Sequence, residues 1–172
     1  YDAVPESYEA VIDAVRQSSS CVILDLPHGW SPWIRASLQG ADEIVVVATP
    51  DLTSLRNAKN LIEIIKNARP NDQAPRLVLN QVGQPKRPEI PAKDFAETMG
   101  LQPLAVVPYD PALFGQAANN GQMLPETAPK SAITDTVRRL SRTLTGREAD
   151  AAPKAGPALF AFLKGAKARK AS

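Results

Sequence analysis

Cysteine, histidine and the aromatic residues are all scarce in this sequence. Of its 172 residues one is cysteine, one is histidine, and 5% are Phe, Trp or Tyr. A lone cysteine, Cys21, supplies neither a disulfide framework nor a thiolate cluster for a metal, which fits a reducing compartment. At the head of an apolar run it reads as a buried packing residue. No run of 18 apolar residues occurs, so no stretch is long enough for a membrane-spanning helix, and no signal peptide is visible. There is no initiating methionine either: the chain opens at Tyr1 and enters a helical pattern almost at once, as a piece of a longer protein would. A large charge imbalance is also missing. The 20 Lys/Arg and 18 Asp/Glu leave +2, and that figure hides a division. Residues 1–145 carry 14 basic and 16 acidic side chains, a balance of −2, whereas residues 146–172 carry 6 and 2, a balance of +4. A slightly acidic body with a basic tail is unlike the basic face that general nucleic-acid binding needs, so nucleic acid is not an expected partner.

What is present is enough apolar residue, 44%, for one α/β domain or a large part of one. The stretch CVILDLPHGW drives a β-branched and apolar run into Asp25, Pro27 and Gly29, which predicts a buried parallel strand over 21–26 ending in a loop. Ligands in open α/β sheets bind outside the carboxyl ends of strands. An Asp there can hold Mg²⁺ or its waters, and a glycine lets backbone N–H groups approach a phosphate. The plain alternative is a strand that ends in an ordinary Pro-Gly turn.

Helical spacing of Tyr8, Val11, Ile12 and Val15 predicts a helix over 5–17, and PWIRASLQ a short one over 32–39. EIVVVA (43–48), RLVLNQV (76–82) and Leu104–Val107 read as further buried strands. Helices are predicted over 52–68, 94–99, 111–118 and 131–145, with Ile133, Val137, Leu140 and Leu144 on one face of the last. Strands separated by helices imply a three-layer α/β/α sandwich with a mostly parallel sheet. Its carboxyl edge would gather Asp25 to Gly29, Thr49 to Asp51, Asn80 with Gln81, and Pro108 to Asp110. Each loop alone is only what a strand end needs; their convergence points to a nucleotide cradle.

Four runs then match a family: ILDLPHGW, VVVATPDLTSLRNAKNLIEII, RLVLNQVGQPKRPEIPAKDF and VVPYDPALFGQAANNGQML. Over roughly residues 5–147 the chain resembles the MinD/ParA group of P-loop ATPases. Within that group it looks most like the CpaE or TadZ ATPases of Tad (Flp) pilus assembly, whose members share the Ser-Leu-Arg-Asn-Ala-Lys and Ala-Ala-Asn-Asn-Gly-Gln runs.

The resemblance implies that Asp25 is the Walker B position that holds Mg²⁺ through water, and that Pro27 and Gly29 belong to the second switch, which senses the γ-phosphate. Thr49 and Pro50 fall in the loop near the dimer interface and the nucleotide. Asn80, beside Gln81, matches the Asn that hydrogen-bonds the adenine edge, and Pro108, Tyr109 and Asp110 match the loop around the base. An Asn has both a donor and an acceptor for an aminopurine; its alternative is a turn former that satisfies backbone. ATP or ADP with Mg²⁺, a homodimer, the Tad/Flp secretion machinery, and a cytoplasmic place at the inner membrane or cell pole are the implied cofactors, partners and location. The chain departs from the family in having no Gly-x-x-x-x-Gly-Lys-[Ser/Thr]. That loop, its signature lysine, and the first strand and helix of the fold are expected upstream of Tyr1, so the chain by itself holds half a site and is expected to hydrolyse nothing. A non-hydrolysing localisation adaptor on the same fold is the alternative reading.

His28 neighbours the metal carboxylate and reads either as a base or, in preference, as a solvated loop residue. Trp30 and Trp33 are either partner contacts or buried under the following helix. The expected organisation is an ATPase part over 1–146, a flexible linker over 147–156 and a basic amphipathic tail over 157–172. On a helix, Leu159, Phe160 and Leu163 share a face with Phe162 beside it, while Lys164, Lys167, Arg169 and Lys170 add positive charge. That suits an anionic membrane surface or a partner groove; a disordered basic tail is the alternative, and Gly165 weakens the helix.

Overall fold

The structure, a computed structural model, describes residues 5–27 and 29–147. His28 and all the tail residues named above lie outside them. The elements are α1 (Pro5–Ser18), α2 (Pro32–Gly40), β1 (Val45–Ala48), α3 (Leu52–Ala68), β2 (Arg76–Val82), α4 (Ala92–Met99), β3 (Pro103–Pro108), α5 (Pro111–Asn120), α6 (Leu124–Thr127) and α7 (Ala132–Leu144).

The three strands pair in the order β1-β2-β3, all parallel, with α3 and α4 making the two crossovers. Strand side chains alternate between faces, and that period sorts the core into two layers. Val46, Ala48, Leu77 and Leu79 face α3 and α4, meeting Leu55, Ala58, Ile62, Phe95 and Met99. Val78, Ala105 and Val107 face the other way onto Ile133 of α7, with Leu140 packed beside them. Helices therefore cover both faces, and the α/β sandwich read from the sequence is the one observed. Leu77, Leu79 and Phe95 are wholly buried; each side chain contributes about 1.5–3 kcal/mol through removal of its apolar surface from water.

Short polar side chains start the helices that follow the strands. Asp51 Oδ1 accepts from Ser54 N at 2.8 Å, and Asp110 Oδ1 from Leu113 N at 2.9 Å. These N-caps satisfy amides that no helical carbonyl reaches, and they fix where β1 and β3 hand over to α3 and α5. Gly100 and Gly121 close α4 and α5 at φ 62°, a left-handed geometry that an L side chain resists.

Two features differ from expectation. The run 21–26 is not a strand: it pairs with nothing among the described residues, Cys21 is exposed, and Ile23 is 89% exposed. A parallel strand is stable only when its N–H and C=O groups find a neighbouring ladder, and without one an apolar run stays open to solvent. Here α1 packs on α2, and α2 on α3. The second is α6, a one-turn helix absent from the sequence reading. Trp33 stacks on Tyr8 with ring centroids 4.5 Å apart, whereas Trp30 is 45% exposed.

Candidate functional site

The carboxyl ends of β2 and β3 form one edge through an irregularity in their ladder. Leu79 is paired with Val106 and Val82 with Pro108, so Asn80 and Gln81 on β2 face a single residue on β3. This is a β-bulge. Gln81 takes the extra length in a left-handed conformation at φ 56°. Just beyond it, Tyr109 N donates to Val82 O at 2.8 Å, which draws Pro108–Asp110 against the β2 end. Asn80 is half-buried, and its Oδ1 accepts from Gln81 N at 2.9 Å. That bond uses one lone pair of Oδ1; a carbonyl oxygen has two, and the Nδ2 group has two N–H donors. Pro108, Tyr109 and Gln81 are exposed around it, while Asp110 is committed to capping α5.

The loop after β2 is closed by an ion pair. Arg87 Nη2 donates to Gln81 O, and also to Glu89 Oε1 at 2.8 Å; Arg87 Nη1 reaches Gln81 Oε1 at 3.4 Å. Glu89 in turn accepts from Gly83 N at 3.0 and 2.9 Å and from Gln84 N at 3.0 Å. Burial pushes the Glu89 carboxyl up, but the bonds from Arg87, Gly83 and Gln84 outweigh it and leave its pKa below the usual value. Arg87 Nε is buried without a partner among the described residues.

At the end of β1, Thr49 Oγ1 donates to Asp51 Oδ2 and lies 2.7 Å from Ser54 Oγ. The Thr49 hydroxyl, then the Ser54 amide, hold the Asp51 carboxyl below its ordinary pKa against a smaller opposing effect of burial. Pro50 is fully buried, and its carbonyl accepts the Ile90 N–H at 2.8 Å. The β1 and β2 loops are thereby joined. Asp25, Pro27 and Gly29 are exposed, and among the described residues no hydrogen bond ties residues 21–27 or Gly29 to a strand. A Cβ at Gly29 would meet only Ile34 Cδ1, at 3.8 Å, so the space above it is open.

Three of the four loops singled out from the sequence therefore meet at one edge, and Asp25, Pro27 and Gly29 make no hydrogen bond to it among the described residues. Asn80 thus offers both donors and an acceptor at this edge, with Tyr109 and Pro108 exposed beside it. No group of three His, Cys, Asp or Glu side chains converges among the described residues. Arg87 and Glu89 were not recognised in the sequence. Their only signal there is a charged pair set among Pro85, Pro88 and Pro91 in a loop that follows a strand. Among the described residues no helix is long and apolar enough to cross a membrane.

No family model matches the chain. It is similar to the septum site-determining protein MinD of Bacillus subtilis, 26% identical over 145 residues, which is 83% of this chain and 53% of that protein. It is 27% identical over 165 residues to an uncharacterized ATP-binding protein of Methanocaldococcus jannaschii, 95% of this chain and 61% of that one. Among solved structures it is similar to a ParA family ATPase from Chlorobium tepidum, with TM-score 0.69 and 24% identity over 80% of this chain and 57% of that one. The Pyrococcus furiosus cell division ATPase MinD gives TM-score 0.69 and 23% identity over 83% and 58%. These likenesses establish the MinD/ParA-like fold and support homology to MinD/ParA-type ATPases. The chain spans between about half and three-fifths of the length of these relatives.

Proposed function

We propose that the chain is the C-terminal part of a MinD/ParA-type ATPase of the CpaE/TadZ kind, a nucleotide-switched dimer that places the Tad (Flp) pilus machinery at the cytoplasmic membrane or cell pole. The observation that carries the nucleotide part is the shared edge at Asn80 and Tyr109, built by the β2 bulge and the Tyr109–Val82 hydrogen bond. In this reading Asn80 reads the adenine edge. Pro108 and Tyr109 flank the base, and Thr49–Asp51 shapes the adjoining rim. When ATP and Mg²⁺ bind, they supply the phosphoanhydride and the charge that screens it; the Asp25 carboxylate would hold the hydrated ion. The unpaired run 21–26 suits a strand whose neighbour is the P-loop strand, placed upstream of Tyr1 in this proposal. The Tad assignment is supported by SLRNAK, which lies in the first turns of α3, and by AANNGQ, which closes α5.

An NMR titration of the ¹⁵N-labelled chain with ADP tests the nucleotide reading. Shifts confined to Asn80, Gln81, Tyr109 and Asp110 are expected; their absence at millimolar ADP overturns it. Deleting the gene in its source organism tests the cellular role, with loss of surface pili expected and normal piliation overturning it.

A further inference from the structure

We infer that Arg87, held in place by Glu89, is the positioning residue that fixes the β2 bulge and so sets the Asn80 amide in register for the base. This rests on the nucleotide reading above. Between the Leu79–Val106 and Val82–Pro108 pairs β2 has one residue more than β3, and this local excess is absorbed at Gln81 in a left-handed conformation that a non-glycine side chain takes only when its surroundings enforce it. The enforcement comes from one guanidinium, which binds both polar ends of Gln81: Nη2 the main-chain carbonyl, and Nη1 the side-chain oxygen at 3.4 Å. Nη2 is itself anchored by Glu89 at 2.8 Å, and Glu89 is anchored by the amides of Gly83 and Gln84.

The consequence falls on the residue before. Gln81 N is the donor to Asn80 Oδ1 at 2.9 Å, so the orientation of the Gln81 peptide determines which way the Asn80 amide faces. If Gln81 relaxed into an extended conformation, its N–H would swing into the ladder and the Asn80 side chain would turn with it. Arg87 thus acts on the base through Gln81 and Asn80, without touching it. The three prolines at 85, 88 and 91 stiffen the loop that carries it.

The test uses the full chain, ¹⁵N-labelled and titrated with AMP and, in parallel, GMP. In the wild type the Asn80 side-chain amide is expected to respond to AMP and not to GMP. Arg87→Gln is expected to lose that preference, with AMP binding about tenfold weaker, the equivalent of one hydrogen-bonded pair. Arg76→Gln breaks the Arg76–Glu43 pair at the opposite end of the same strand and is expected to leave the preference unchanged. Adding Gln81→Gly to Arg87→Gln is expected to recover most of it, because glycine takes the bulge conformation without a clamp. An unchanged preference in Arg87→Gln overturns the inference and leaves the nucleotide reading standing. So does a preference that Gln81→Gly cannot recover. No AMP response at Asn80 in the wild type overturns both. If Arg87→Gln does not fold, Glu89→Gln, which keeps the guanidinium but loosens its anchor, is expected to weaken the preference, and an intact preference there overturns the inference.

Discussion

Ile90 donates its backbone N–H to the carbonyl oxygen of Pro50 at 2.8 Å, across two loops that are forty residues apart in sequence. Each partner sits beside a carboxylate of lowered pKa: Asp51 follows Pro50, and Glu89 precedes Ile90. The positive charge of Arg87 acts favourably on both. The edge that receives the candidate ligand is therefore braced by two ionised side chains whose hydrogen bonds are spent inside the protein.

That arrangement fixes the sign of an acid response. A carboxyl held below its ordinary value, 3.8 for Asp51 and 4.5 for Glu89, binds more protons unfolded than folded. Both contributions are complete above the unfolded values and are lost as pH falls through the folded ones. Urea midpoints measured between pH 7 and 3 are expected to stay level down to about pH 5 and then decline, and Glu89→Gln is expected to flatten part of that decline. An unaltered slope in Glu89→Gln would show that its bonds do not favour the charged form.

Phe95 carries the packing of the α3/α4 layer. It is wholly buried at the centre of the cluster formed by Leu77, Leu79, Ile62 and Met99. Truncation to alanine opens a cavity that backbone atoms on the strands cannot fill, with an expected cost of about 3–5 kcal/mol by chemical denaturation. A loss below about 1 kcal/mol would mean that α4 does not pack as described.

Thr134 is a wholly buried polar side chain on the opposite layer. Its hydroxyl donates to Ala128 O at 2.7 Å and lies 3.4 Å from Leu124 O, fastening α7 to the turn after α6. Thr134→Val preserves the shape and removes the donor, while Ala128 O keeps the Ser131 N–H at 3.1 Å; the expected cost is that of one net hydrogen bond, about 0.5–1.5 kcal/mol. Thr136→Val makes the comparison: its hydroxyl also bonds a carbonyl, Ala132 O at 2.9 Å, but is exposed, so the change is expected to stay within about 0.5 kcal/mol.

How much of this was legible in the sequence depends on the range of the interactions. RLVLNQV was legible as a buried strand and is the middle one of the three, whereas VVVA was legible as a strand but not as an edge: among the described residues β1 has one neighbour, and Val47 is 60% exposed. The bulge at Gln81 was not legible: it exists because β2 and β3 have unequal numbers of residues between fixed pairs, a property of two strands together. The Arg87–Glu89 clamp depends on the loop after β2 closing on itself between residues six apart in sequence, Gln81 with Arg87 and Gly83 with Glu89, which no periodicity encodes. Helix α6 is a single turn, too short for a pattern, and its one signal is Glu126 reaching back to Met123 N at 2.8 Å. The run at 21–26 was read correctly as apolar and wrongly as paired, since hydrophobicity specifies burial but does not supply the neighbouring ladder.

Ile23 turns that last distinction into a measurement. In a paired, buried strand, Ile23→Ser would remove most of an isoleucine's burial and cost several kcal/mol, on the order of 2–5. At 89% exposure there is almost no contact to lose, so the substitution is expected to shift the stability of this chain by no more than about 0.5 kcal/mol. The same change in the longer protein proposed above, with an upstream strand alongside residues 21–26, is expected to be costly. The difference between the two values would measure the docking of that strand directly. Equal and small effects in both would remove the upstream strand as the neighbour of this segment, and with it the placement of Asp25 beside a bound phosphate.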